Sequence, residues 1–183
     1  MNTQEEATLA EKLRLQGVTR SGMDGMEVDV LGGKHNLTDV NAIIGLKQLE
    51  RLSNFQAKRT ELAKEYFKQM RSTQIEELGV QLPVDNFIDS NWHMFQVVLD
   101  LEKLKTDRAS IMARLKEKNI GSGVHYPIIS NFKLYQELGY SSEKTPIASK
   151  IGQSILTLPL FPTMTTDDVK VITQAFKEAL LGT

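Results

Sequence analysis

GGKHNLTDVNAIIGLKQLERL, residues 32–52, decides how the rest of the chain is read. Two glycines, a lysine, a histidine and an asparagine stand before Thr38, and from there Ile43, Ile44, Leu46, Leu49 and Leu52 recur at helical spacing. Thr38 is a natural N-cap. The first amides of a helix lack internal partners and carry the positive end of its dipole, so a glycine-rich approach with Lys34 makes an anion site. A solvated turn with an ordinary cap is the simpler account of these residues alone, and the GxxxxGK[ST] spacing of a phosphate-binding Walker loop is absent.

The apolar pattern resumes through Leu62, Ala63, Tyr66, Phe67 and Met70, with Ser53 and Asn54 between its two arms, so one bent helix or two meeting helices are expected. Upstream, QEEATLAEKLRL (4–15) predicts a short amphipathic helix stopped by Gly17. Residues 18–33, with four glycines among Met and Val, suit a loop that touches something else.

Downstream the rhythm changes to short apolar runs alternating with capped helices. MFQVVLDL (94–101) predicts a buried strand, and Thr106 or Asp107 then caps a helix through Lys118 that stops at Asn119. GSGVHYP (121–127) reads as a strand opened by glycines and closed by Pro127, and ILTLPLFP (155–162) as a short edge strand. TMTTDDVKVITQAFKEALL (163–181) has a threonine cap, acids in the first turn, and Val169, Ile172, Phe176 and Leu180 on one face. This order predicts a mixed α/β (α+β) domain, a sheet covered by helices.

The composition, 40 % hydrophobic and 25 % charged with a net charge of -1, offers no basic excess for a nucleic-acid backbone. No run is long enough to span a bilayer, and the acidic N-terminal residues do not resemble a signal peptide, so a cytoplasmic location is expected. Without cysteine there are no disulfides, thiolate metal sites or cysteine nucleophile. The three histidines match no local ligand spacing, so no metal is expected.

Two further stretches hold reactive side chains. His125 and Tyr126 supply an acid/base group and a hydroxyl, but neighbours on a strand point to opposite faces and share a pocket only if the strand has ended. Trp92, beside His93, is expected as a core anchor. No Ser/His/Asp set, carboxylate pair or dinucleotide fingerprint is present.

Four segments in order resemble one family. GGKHNLTDVNAIIGLKQLERL resembles its Gly-Tyr-(Lys/Asn)-aromatic-(Asn/Arg)-(Leu/Met)-Thr-Asp turn and helix, and NWHMFQVVL its Trp-His-Leu-Phe strand. IGSGVHYPI resembles its Gly-(Thr/Ser)-Gly-Val-His-Tyr segment and LTLPLFPTMTTDDV its Leu-Pro-Leu-Phe-Pro segment. The family is that of the pyridoxal-phosphate-dependent sugar-nucleotide aminotransferases of the DegT/DnrJ/StrS type. The resemblance implies the C-terminal part of the fold type I aminotransferases: residues 1–37 as a remnant of the cofactor domain with an active-site loop, 38–71 as a long linking helix, and 72–183 as the small domain.

Beyond that remnant nothing in the chain resembles the large cofactor domain or its Schiff-base lysine, so no catalytic residue is assigned and the isolated chain is expected to be catalytically incomplete. The resemblance implies a homodimer in which Lys34 and Asn36 contact the cofactor phosphate across the subunit boundary, with His35, His125 and Tyr126 near the substrate. Gly33 departs from the pattern where relatives carry an aromatic. In a complete enzyme an amino group, commonly from glutamate, would pass through pyridoxal phosphate to a keto-sugar nucleotide in amino-sugar biosynthesis. Two other readings stay open: a stand-alone dimerisation or regulatory module, and half of an enzyme completed by a separate N-terminal polypeptide. An exposed apolar face favours a missing partner domain, and a polar one the module.

Overall fold

Thr3 starts the first helix with a capping box, its hydroxyl accepting from the Glu6 amide while the Glu6 carboxylate accepts from the Thr3 amide. The computed structural model describes residues 2–182, which fall into two units divided after Leu52. In the first unit that helix, α1 (Gln4–Arg14), leads to Gly17 in the left-handed region at φ 74° and then to two strands, β1 (Val18–Ser21) and β2 (Gly25–Val28). They pair antiparallel, Val18 opposite Val28 and Ser21 opposite Gly25. The loop expected over 18–33 is therefore in large part a hairpin. Its three-residue turn is made possible by Gly22 at φ 66°, and each strand is too short to show a period-two pattern in the sequence. α2 (Asp39–Glu50) follows its Thr38 cap, whose hydroxyl accepts from the Asn41 amide at 3.3 Å. It ends one residue before α3 (Leu52–Ser72), so the long run is two helices, parted at Arg51 and not at Ser53 and Asn54.

In the second unit the inward stripe of α3, Leu62, Ala63, Tyr66, Phe67 and Met70, is fully buried. Strands β3 (Val80–Gln81), β4 (Phe95–Leu99) and β5 (Ile155–Leu158) form an antiparallel sheet in that order. Helices α4 (Leu101–Leu104), α5 (Arg108–Glu117), α6 (Lys133–Glu137) and α7 (Pro146–Ser154) lie between β4 and β5 in the chain, and α8 (Thr166–Leu181) closes it. Alternation sorts β4 cleanly: Phe95, Val97 and Leu99 are buried, while Gln96 and Val98 are only half-buried. The register sets Phe95 opposite Leu158, Val97 opposite Leu156, and Gln96 opposite Thr157. The core joins these apolar residues to Ile111 and Leu115 of α5 and to Val169, Ile172, Phe176 and Leu180 of α8. Trp92 is buried among Phe67, Phe87 and Phe95.

Tyr66 is a core side chain with a reach beyond packing. Its hydroxyl donates to the carbonyl of Pro159 at 2.7 Å, and burial, helped by the charge of Asp168, pushes its phenol well above the ordinary tyrosine range. It stays neutral and ties α3 to the chain leaving β5. Arg114 donates to the carbonyl of Ala179 at 2.8 Å, close to the Gly182 cap that ends α8, and so links α5 to α8.

The strand expected at 121–127 is not formed. Gly123 alone pairs with Thr157, the two exchanging amide bonds of 3.0 and 2.8 Å, and residues 124–127 are irregular. Two glycines and a proline around a single β-branched residue give too little side chain to hold a longer ladder.

Capping carboxylates make the fold acid-sensitive. The amide and then the hydroxyl of Thr165 hold the Asp168 carboxyl below its ordinary value of 3.8, and the Ser110 amide does the same first for Asp107, the cap of α5. A depressed folded pKa means the contribution is present above the unfolded value and disappears as pH falls through the folded one. Asp168→Asn is expected to remove the stability that the ionised carboxylate adds at neutral pH, and so to flatten the acid limb of the curve while changing little below the folded pKa. Acid unfolding followed by circular dichroism checks this, and an unchanged acid limb would refute it.

Candidate functional site

The first group of site residues lies on a turn anchored to the end of α1. The Gly33 amide donates to the Leu13 carbonyl, the Gln16 amide to the Gly33 carbonyl and the His35 amide to the Arg14 carbonyl, each at 2.9 Å. Lys34 pairs with Leu15 through a backbone bridge, and its ammonium is exposed with no carboxylate partner among the described residues. His35 and Asn36 are exposed beside it. A Cβ built on Gly33 would lie 2.2 Å from Nε2 of His35, so the imidazole occupies space that a side chain at 33 needs. The turn presents a cation and small residues ahead of a capped helix, which suits an anion, with Asp39 in the first turn opposing it.

The second group is built on the sheet face away from the core. Gln96 of β4 and Thr157 of β5 are cross-strand partners, and both reach His125. The Gln96 amide donates to the His125 carbonyl, and the Thr157 hydroxyl lies 2.9 Å from Nδ1 of the ring. Gly123 leaves room for that ring, since a Cβ there would lie 2.6 Å from Cε1. The peptide bond between His125 and Tyr126 is cis, and the rings meet edge to face with centroids 5.2 Å apart.

Tyr126, two-thirds exposed at 66 %, lines a cavity of about 610 Å³ with Ile128, Tyr135, Tyr140 and Ile151. His125 does not line it, so the neighbouring pair divides between the sheet and the cavity. No charged side chain lines this space, which suits a flat or apolar part of a ligand. Ser130 contributes a buried hydroxyl oxygen without a hydrogen-bond partner.

Sequence reasoning missed Gln96, Thr157 and Gly123. Their one signal is a polar residue set singly into each of two apolar strands, MFQVVL and ILTLPL. Among the described residues no group of three His, Asp or Glu side chains could hold a metal, and no helix is long and apolar enough to cross a membrane.

Comparison with known proteins places this geometry. An uncharacterized protein of Methanocaldococcus jannaschii, MJ1066, is 29 % identical over 191 aligned residues that cover 97 % of this chain and 48 % of that protein. Helicobacter pylori PseC, an aminotransferase involved in the biosynthesis of pseudoaminic acid, superposes on all of this chain and 48 % of its own, with a TM-score of 0.86 and 20 % identity. A putative sugar aminotransferase from Streptococcus pneumoniae, Spr1654 in its PMP-form, covers 98 % of this chain and 46 % of its own at a TM-score of 0.85 and 22 % identity. The mixed α/β fold is therefore the one these aminotransferases share, and the chain spans about half the length of the relatives it matches. The family model for DegT/DnrJ/EryC1/StrS aminotransferases matches residues 1–177, and the chain belongs to that family.

Proposed function

We propose that this chain is the substrate-positioning, C-terminal part of a pyridoxal-phosphate-dependent aminotransferase that moves an amino group, with glutamate as donor, to a keto-sugar nucleotide in the cytoplasm. The observation that carries the proposal is Lys34, an ammonium with no carboxylate partner among the described residues, on a turn fixed to α1 immediately before α2, in a chain of this family. The residues fit the phosphate end of the cofactor: Lys34 would supply the charge and Asn36 an amide. They do not supply a lysine placed to bond its aldehyde, and that role falls to a part of the enzyme outside residues 1–183. When bound, the cofactor supplies the electron sink for amino transfer. This chain contributes orientation: Lys34 and Asn36 hold a phosphate, His35 and His125 offer ring nitrogens to a substrate, and Tyr126 borders the apolar cavity.

A homodimer is part of the same reading, with the 32–36 turn serving the partner's site. α2 supports a covering partner, because Val40, Ile43, Ile44, Leu46 and Leu49 are each at least 54 % exposed and none of its residues is buried.

The test has two parts. Purified chain mixed with pyridoxal phosphate, reduced with borohydride and weighed intact is expected to show no stoichiometric adduct at a single lysine, and one would overturn the division of labour. In the assembled transaminase Lys34→Ala is expected to weaken cofactor binding about tenfold or more, some 1.4 kcal/mol. Unchanged cofactor affinity would remove Lys34 from the phosphate site.

A further inference from the structure

We infer that Thr157 holds the neutral ring of His125 in the tautomer with its proton on Nε2, so that His125 offers substrate a hydrogen-bond donor and not a base. Thr157 is 7 % exposed, and its hydroxyl has one hydrogen-bond partner among the described residues, Nδ1 of His125 at 2.9 Å. The backbone of Thr157 is already engaged with Gly123. If Nδ1 carried the proton, it would donate to the hydroxyl oxygen and the hydroxyl's own proton would be stranded without an acceptor in a buried strand. A buried donor left unmade costs far more than a lone pair left idle. The hydroxyl therefore donates to Nδ1, and the ring proton sits on Nε2.

The rest of the frame keeps that nitrogen available. The Gln96 amide holds the His125 carbonyl, Gly123 admits the ring, and Nε2 has no hydrogen-bond partner among the described residues. Thr157 and Gln96 are positioning residues, acting through His125. An N–H donor at this point recognises an acceptor oxygen, and on the reading of His125 as a substrate-side residue, on which this last step rests, that oxygen belongs to the diphosphate or the sugar of the nucleotide-linked substrate.

Nitrogen-15 spectra of the 183-residue chain, recorded where the ring is neutral, decide the tautomer without any activity assay. The parent is expected to show a pyridine-type Nδ1 and a pyrrole-type Nε2. Thr157→Val, which keeps the shape and removes the hydroxyl, should move both toward the averaged values of exchanging tautomers, and Thr157→Ser should restore the parent pattern. A pyrrole-type Nδ1 in the parent, or identical spectra for the parent and Thr157→Val, overturns the inference. Uridine and thymidine diphosphates and their glucose conjugates then test the reading beneath it. A shift of Nε2 with the diphosphates alone assigns the phosphate, and one that needs the conjugates assigns the sugar. If these ligands bind, as amide shifts elsewhere in the chain would show, and Nε2 does not move, His125 does not face the substrate, whatever its tautomer.

Discussion

Phe95→Ala is expected to lower the unfolding free energy by about 3–5 kcal/mol, a large share of the roughly 5–15 kcal/mol that holds a typical domain. The ring is fully buried and lies at the centre of the aromatic cluster: it stacks on Tyr66 with centroids 4.5 Å apart, meets the edge of Phe67 at 5.4 Å and faces Trp92 at 6.2 Å. Removing it opens a void between α3 and the sheet that neither can close without shifting the other. Phe95→Leu, which keeps more of the volume, should lose less. Urea unfolding followed by the fluorescence of Trp92, the single tryptophan, measures both variants. A loss under about 1 kcal/mol for the alanine variant is the size expected of a surface change and would show that the cluster is not the core.

Gly17→Ala is the second large effect, and it should be confined to the first unit. Gly17 sits at φ 74°, and a Cβ there would fall 1.8 Å from the carbonyl oxygen of Val30. Gly32 answers from the other side, its own Cβ position lying 2.3 Å from the Gly17 amide nitrogen, so the two glycines pass backbone against backbone. The left-handed conformation costs an alanine about 1–2 kcal/mol, and forcing the segments apart about 1–3 kcal/mol more. The segment that must move leads directly into Lys34, His35 and Asn36. Amide spectra should therefore change across residues 13–36 while the near-ultraviolet signal of the aromatic cluster stays, and phosphate affinity should fall with the turn. Unaltered amide shifts in that range would contradict the close approach.

What could be foreseen from the sequence was local. The box at Thr165 and Asp168 is three residues wide, and the α3 stripe and the β4 run carry their periods within a few turns or pleats, so all three stand in the structure as expected. Elements that depend on distant partners could not be seen. The Gly123 bridge exists because Thr157, remote in sequence, lies beside it, and without that knowledge the glycines suggested an ordinary strand opening. The short hairpin at 18–28 and the five-residue helix α6, set among exposed residues, show no strong periodicity. For the candidate site, Lys34, His35, Asn36, His125 and Tyr126 were conspicuous as residue types. Gln96 and Thr157 were not, because their meaning depends on the register of two strands about sixty residues apart.

That register has a consequence for how the protein can change. β4 and β5 give one face to the core and the other to His125, so Leu156, Thr157 and Leu158 form a single coded alternation. Sliding β5 by one residue would turn the Thr157 hydroxyl into the hydrocarbon interior and aim leucine at the imidazole. An insertion or deletion in either strand is thus penalised twice, once in folding and once in recognition, whereas exposed connections that line neither the core nor the cavity carry neither constraint. Variation among descendants of this chain should accumulate in its exposed connections long before it touches the ladder that frames the histidine.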